Sequence, residues 1–590
     1  MTAPNALGWR PMQRYRTKGK SCLWLGIFIA CLLVVLLGSP LIAQQSEAPH
    51  SGWIEFRSFE YRGEDSLTQP AKPNADEYRN PILAGFYPDP SLIRVGEDYY
   101  VVNSSFTWYP GVPIFHSRDL VDWEQIGYVL NRPEQLSLSG ADVSGGIFAP
   151  TIRYHSGRYY MITTNVSGLG NFYVTAENPA GPWSNPIALP EIQGIDPSFF
   201  FDDDGRAYIV HNDVPPDNKP LYPGHRALYL VPFDVTTGKV SGPGKVIVNG
   251  GTDPAKQPVW IEGPHIFKRK AFYYLIAAEG GTSDQHSEVV FRSRSVDGPY
   301  VSYSGNPILT QRTLSPSRPD PITSTGHADF VETQNGEWWA VFLGCEAYED
   351  DFYNTGRETF LLPVHWVDGW PVILDANKTV PRVVKRPKLP AQAAPASPMT
   401  GPFQWTADFT GTQLPFSLNT LRTPTSQWWS LDAREAALFL EPRPEDLDSK
   451  HDPSLIARRQ QHANFSSSVQ MRFGESDQAS DAGLVAFQNE THSFFLGVHL
   501  TPEGQRTIFL ERRDRDVSQV ASASLPGNAH DVELKIEGAG ARYRFYYRVG
   551  SEAWVQLGSD QDGTILSTKE AGGFVGTYIG MYARSLPVSK

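Results

Sequence analysis

The sequence predicts an all-β protein, a five-bladed β-propeller followed by a C-terminal antiparallel β-sandwich. Three observations carry this expectation. Aromatic residues make up 12% of the 590 residues, and 51 Gly and 48 Pro punctuate them, which favours short strands and turns over long helices. Between Asn80 and Val384 one hairpin pattern recurs five times: a small or acidic residue, usually Pro, an apolar strand, a turn, and an aromatic second strand. Beyond Phe403, alternating runs such as Ser466-Ser467-Ser468-Val469-Gln470-Met471-Arg472-Phe473 are separated by Gly, Asn and Asp turns, as in a half-buried antiparallel sheet.

Residues 1–43 hold a basic region (Arg10, Arg14, Arg16, Lys18, Lys20), an apolar run from Cys22 to Leu37 and a Gly38-Ser39-Pro40 break. This is the grammar of a secretory signal peptide, so the protein is expected to be exported, to the periplasm or the outside of the cell. It would be membrane-anchored only if the signal were not cleaved. Residues 44–78 read as a polar lead-in with little capacity to build a core. The propeller is expected over 79–386, a Pro/Ala linker over 387–402 and the sandwich over 403–590.

The five copies begin at Asp89-Pro90-Ser91, Ala149-Pro150-Thr151, Asp196-Pro197-Ser198, Gly263-Pro264-His265 and His327-Ala328-Asp329. Their spacing, about 45 to 70 residues, suits a four-stranded blade that cannot bury both faces alone. The formal net charge is −13, and setting aside residues 1–43, with five basic and no acidic residues, leaves −18. Such a balance argues against nucleic acid or an anionic membrane as partner and leaves a neutral ligand unaffected. Of the three cysteines only Cys345 would remain after processing, so no intramolecular disulfide is expected, and no Cys/His spacing suggests a metal.

In a propeller the starts of the innermost strands ring one end of a central channel. Here that ring is Asp89, Ala149, Asp196, Gly263 and His327, with Glu262 one residue before Gly263. Like charges held this close destabilise one another and raise at least one pKa, an arrangement more typical of function than of scaffold, although a bound cation would also account for it. Phe106, Trp108, Phe148 and Trp260 are available to surround the ring. Paired carboxylates beside aromatic platforms suit glycoside cleavage: the departing oxygen needs a proton, the anomeric carbon needs a water, and sugar C–H faces stack on rings. Trp260 and Ile261 give Glu262 a setting suited to an acid, and Ser91 gives Asp89 one suited to a base, but the residues alone leave these roles exchangeable.

The segments Phe86-Tyr87-Pro88-Asp89-Pro90-Ser91, Ser104-Ser105-Phe106, Gly145-Gly146-Ile147-Phe148-Ala149-Pro150, Glu262-Gly263-Pro264-His265, Gly326-His327-Ala328-Asp329 and Gly356-Arg357-Glu358-Thr359-Phe360-Leu361 together resemble glycoside hydrolase family 43, in its β-xylosidase and α-L-arabinofuranosidase branch. Leu455-Ile456-Ala457-Arg458-Arg459-Gln460-Gln461-His462 and Gly572-Gly573-Phe574-Val575-Gly576 resemble that branch's C-terminal sandwich. The resemblance implies an inverting exo-glycosidase that removes terminal xylosyl or arabinofuranosyl residues from xylan, arabinoxylan or their oligosaccharides. It implies Asp89 as general base, Glu262 as general acid and Asp196 as the carboxylate that orients the acid and keeps its pKa up. Arg357 and His327 would bind the sugar or help hold a central divalent cation such as calcium; no cofactor is otherwise required. Phe106, Phe148 and Phe574 would contact substrate, Phe574 from the sandwich. Phe148 stands where the branch often has Trp. The competing expectation is a secreted sugar-binding propeller without catalysis. The loop segments His211-Asn212-Asp213-Val214-Pro215-Pro216 and Gly224-His225-Arg226 would either shape the pocket or cap a blade.

Overall fold

The computed structural model describes residues 52–64, 72–473, 479–527 and 529–587. The expected signal peptide, 1–43, lies outside the described residues. Among those described, no helix is long and apolar enough to cross a membrane, and the single α-helix, Thr568–Ala571, has four residues.

Each of the five sequence repeats folds as the inner hairpin of a blade. The five innermost strands are Ser91–Val95, Thr151–His155, Ile195–Phe201, Glu262–Arg269 and Ile322–Glu332. Each lies against the next around the axis, and the fifth returns to the first. The five sheets have four, four, five, five and three strands in chain order. Apolar side chains from facing blades interdigitate between them; Val102 and Ile114 of the first blade, for example, share a cluster with Ile152 and Met161 of the second. The three-stranded fifth blade is completed by the N-terminal segment. The Ile82 amide donates to the Thr359 carbonyl and the Thr359 amide to Leu83, while the buried Asn80 amide group pairs with both backbone groups of Leu361. A ring closed by its own N-terminus leaves no open sheet edge at the seam.

The sandwich consists of a nine-stranded and an eight-stranded sheet. Its central strand corrects the sequence expectation for 44–78: Ile54–Glu64 is an eleven-residue strand that pairs with Asn464–Phe473 along most of its length. Ile54, Phe56, Phe59 and Tyr61 are buried in the sandwich core. A bulge between Phe56 and Ser58 shifts the register, so the apolar residues change from even to odd numbers midway. That change of parity breaks the period-two signal on which strand reading depends. The polar flanks then gave the whole stretch the look of a lead-in.

Residues 387–402 are a docked strap rather than a spacer. Leu389 and Met399 pack on the cluster containing Leu92, Trp123 and Trp339, and Gln392 accepts from the Arg118 amide at 2.7 Å. The propeller and sandwich share hydrogen-bonded sheet: Trp108–Tyr109, from the first blade, pairs with Asn419–Leu421 and extends the eight-stranded sheet. Cys345 is buried with a free thiol.

Candidate active site

Glu262 opens its strand, paired with Ala278, and a bulge follows before His265. Similar irregularities interrupt the strands after Ile195 and on both sides of Gly326. Asp196, Gly263 and His327 at these breaks, and Asp89 just ahead of the strand Ser91–Val95, all adopt left-handed backbone, with φ of 55°, 57°, 53° and 52°. Four blades thus use the same corner to turn a residue out of the ladder and towards the axis. Left-handed non-glycine residues are individually unfavourable, and their repetition around one cavity marks a functional centre rather than a relaxed sheet end.

That cavity, of about 280 Å³, is lined by Asp89, Phe106, Phe148, Asp196, Glu262, His327, Arg357 and Phe574, together with Ala149, Ile195, Trp260, Gly281 and Thr282. All eight site residues expected from the sequence therefore converge. The three carboxylates are 5%, 6% and 7% exposed for Asp89, Asp196 and Glu262, so their protonation is set by neighbours rather than by bulk water.

Those neighbours separate the three. Burial on its own would raise the Asp89 pKa. Arg357, then His327 and the Ser104 hydroxyl, more than offset this and hold the carboxyl below its usual range. Arg357 Nη1 donates to Asp89 Oδ1 at 2.9 Å and Ser104 Oγ to Oδ2 at 2.6 Å, and His327 Nδ1 lies 3.8 Å from Oδ1. Asp196 is pushed up to about 6, chiefly by burial and further by Asp89, against the opposing pull of His327. The Gly263 amide donates to its Oδ2 at 3.0 Å. Glu262 is raised well above the ordinary glutamate value by burial first and then by the charges of Asp196 and Asp89; Arg357 and Arg226 oppose this. One carboxyl is held ionised and another protonated inside a single cavity, the pattern expected of a base and an acid working together.

The aromatic wall is formed by Phe106, Phe148 and Phe574, whose ring centroids lie 5.1–6.1 Å apart. Phe574, 37% exposed, comes from the sandwich. Its carbonyl accepts from Arg357 Nη2 at 3.4 Å, and its amide donates to Ser144 at 2.9 Å. Trp108 departs from expectation. It stacks on Tyr578 at 3.6 Å in the propeller–sandwich interface and does not line the cavity, because its short strand belongs to the sandwich sheet. Ser91, expected beside Asp89, donates to Asp329 instead; Ser104 takes that place.

The loop left open by the sequence shapes the wall. Arg226 stacks on Trp260 at 3.9 Å, the Trp260 amide donates to Gly224, and Asn212 Nδ2 donates to the Ile261 carbonyl at 2.9 Å. Thr282 and Ser104 were not singled out as site residues. Ser104 lay within the motif Ser104-Ser105-Phe106, but its bond to Asp89 depends on two separate segments meeting. Among the described residues, no three His, Cys, Asp or Glu side chains are grouped so as to hold a metal.

Comparison with known proteins agrees with this architecture. Residues 78–371 match Glycosyl hydrolases family 43, and residues 406–590 match the beta xylosidase C-terminal Concanavalin A-like domain. The chain is 39% identical over 510 residues to a xylosidase/arabinosidase of Butyrivibrio fibrisolvens, covering 86% of this chain and 95% of that one. It is 36% identical over 516 residues to a non-reducing end alpha-L-arabinofuranosidase of Bacteroides ovatus, covering 86% and 91%. A GH43_12 protein retrieved from a capybara gut metagenome superposes with a TM-score of 0.84 at 38% identity, covering 90% of this chain and 99% of that one. Two domain matches in the expected order, and relatives aligned over nearly their full length, place the chain in glycosyl hydrolases family 43.

Proposed function

We propose that this glycoside hydrolase removes a terminal pentosyl residue, xylosyl or arabinofuranosyl, from xylan-type polysaccharide or oligosaccharide with inversion. Glu262 is the general acid and Asp89 the general base. The observation that carries the assignment is the opposite displacement of two carboxyls in one cavity, Asp89 below its usual range and Glu262 well above it.

Glu262 gives its proton to the departing glycosidic oxygen, and Asp89 takes a proton from the water that attacks the anomeric carbon. Arg357 and Ser104 keep Asp89 ionised and fix both its oxygens. Asp196 keeps Glu262 protonated through like-charge repulsion. A cavity of about 280 Å³ walled by Phe574 is small for a ligand site and favours one terminal sugar over a threaded chain. The xylosidase and arabinofuranosidase relatives support the pentose choice.

The test is turnover of 4-nitrophenyl β-D-xylopyranoside and 4-nitrophenyl α-L-arabinofuranoside by wild type and Glu262→Gln, with the anomer first formed read by NMR. Wild type is expected to cleave at least one substrate with inverted product, and Glu262→Gln to lose several orders of magnitude on a natural disaccharide. A folded wild type inactive on both, or a retained product, overturns the proposal.

A further inference from the structure

One layer beneath the catalytic ring, five residues meet at the propeller axis, one from each blade: Ser91, Arg153, Ser198, His265 and Asp329. Four of them stand two residues beyond the ring positions Asp89, Asp196, Gly263 and His327.

The Arg153 guanidinium holds this layer together. Its Nη1 donates to Asp329 Oδ2 at 2.8 Å and Nη2 to Oδ1 at 3.2 Å, the two-pronged geometry that suits guanidinium and carboxylate. Nη1 also reaches Ser91 Oγ at 3.2 Å, and Nη2 reaches His265 Nδ1 at 3.0 Å and Ser198 Oγ at 3.4 Å. His265 is fully buried and its pKa is pushed down to about 3, chiefly by burial, so the imidazole is neutral and Nδ1 is free to accept. Asp329 is held below its usual range: burial raises its pKa, but the Arg153 charge and the hydrogen bonds from Arg153 and Ser91 more than offset this. It also accepts from the Ser91 hydroxyl at 2.8 Å and the Leu92 amide at 3.0 Å.

A divalent cation at this level of the axis would need these same oxygen and nitrogen atoms, and in the ring above, the Asp89 oxygens beside His327 are already taken by Arg357 and Ser104. Asp329, His265 and the two serines are the available donors on the axis, and a permanent positive charge already occupies the space between them. A second cation there would face Arg153 at close range in a poorly hydrated channel, where like-charge repulsion is strong.

We propose that Arg153 is the axial cation of this propeller, fixing the five innermost strands at the spacing the catalytic ring needs and making a metal ion unnecessary. The proposal rests on the assignment of Asp89 and Glu262 above. Arg153 touches neither and acts as a positioning residue through Asp329, His265 and the serines. Its loss lets the strands that carry acid and base drift relative to one another. That lowers kcat, while KM, set by groups in the cavity wall, changes little.

The experiment has two arms. In the first, wild type is assayed after exhaustive EDTA treatment and again with added calcium. Unchanged kcat/KM is expected, and loss of activity restored by calcium overturns the proposal. An enzyme inactive under every condition would instead count against the catalytic assignment. In the second arm, Arg153→Ala and Arg153→Lys are compared with and without 50 mM guanidinium chloride, using sodium chloride as the ionic control. Arg153→Ala is expected to lose at least tenfold in kcat with KM within about twofold, to recover part of it with guanidinium but not sodium, and Arg153→Lys to fall between. Wild-type kcat in Arg153→Ala, or equal response to both salts, overturns the proposal. Should Arg153→Ala fail to fold, Asp329→Asn supplies the same kcat-against-KM comparison.

Discussion

Replacing Gly263 by alanine separates the cost of its backbone from the cost of moving the catalytic ring. Gly263 has φ of +57°, and a Cβ there would stand 2.7 Å from His327 Nε2 and 2.9 Å from Cδ2 and Cε1. Left-handed backbone costs an L-residue about 1–2 kcal/mol. Ordinary van der Waals separation is about 3.5 Å, so the imidazole must also retreat by about 0.8 Å. His327 is buried and its Nδ1 lies 3.8 Å from Asp89 Oδ1, while the Gly263 amide holds Asp196. The retreat therefore disturbs base and acid together, and a displacement of about 1 Å at a reacting centre costs about 100-fold in rate, or about 2.7 kcal/mol of barrier. Gly96, with φ of +67° and nothing within 4 Å of a Cβ, is the matched control. Denaturant titration of Gly96→Ala and Gly263→Ala is expected to show a loss of about 1–2 kcal/mol from the backbone in each. In kcat/KM on an aryl glycoside only Gly263→Ala should fall, by about 100-fold. The reasoning is refuted if the two variants agree in kcat/KM within about threefold.

Two further predictions follow from the charges and the fold. The kcat/KM profile should rise as Asp89 deprotonates and fall as Glu262 does. Asp196→Asn removes the charge that raises Glu262 most, so the alkaline limb should move to lower pH; an unchanged or higher alkaline limb would contradict the assigned role. A chain beginning at residue 79 should fail to give soluble, cooperatively unfolding protein, whereas one beginning at residue 50 should succeed. Besides Tyr78, the shorter chain loses four side chains of the sandwich core, Ile54, Phe56, Phe59 and Tyr61, worth about 1.5–3 kcal/mol each, which together rival the whole net stability of a typical fold. A folded, active chain from residue 79 would show that the first strand is dispensable.

The propeller was legible because each blade repeats a local hairpin, so the signal at Asp89 is reinforced at four other places in the chain. The site was legible for the same reason: aligning the repeats places Asp89, Asp196 and His327 in register, with Glu262 one residue ahead of Gly263, without any knowledge of distances. What stayed hidden depends on contacts between segments far apart. Trp108 carries the composition of a pocket aromatic, and only its pairing with the sandwich strand Asn419–Leu421 turns it away. The strand Ile54–Glu64 was lost because a bulge reverses its alternation. Arg153 was invisible as a hub because its four side-chain partners come from four other blades.

The sandwich reaches the reaction by two routes, and only one was foreseeable. Phe574 enters the cavity wall directly and gives its carbonyl to Arg357. The second route is Arg459, whose buried guanidinium has no carboxylate partner among the described residues: Nε donates to the Phe86 carbonyl at 2.7 Å and Nη1 to Asn419 at 3.1 Å, and Tyr87 lies 4.3 Å from its centre. Gln461, two residues on, donates to the Ala84 carbonyl at 3.0 Å. Burying a cation against neutral acceptors alone is expensive, yet here it grips residues 84–87 immediately before Pro88 and Asp89. On the other side, the Tyr87 amide donates to the Arg357 carbonyl, and the Arg357 side chain returns to Asp89. The backbone leading to the base is thus held between the sandwich and the fifth blade. The two halves of the chain form one catalytic body, in which the sandwich fixes the approach to Asp89 as well as closing the pocket above it.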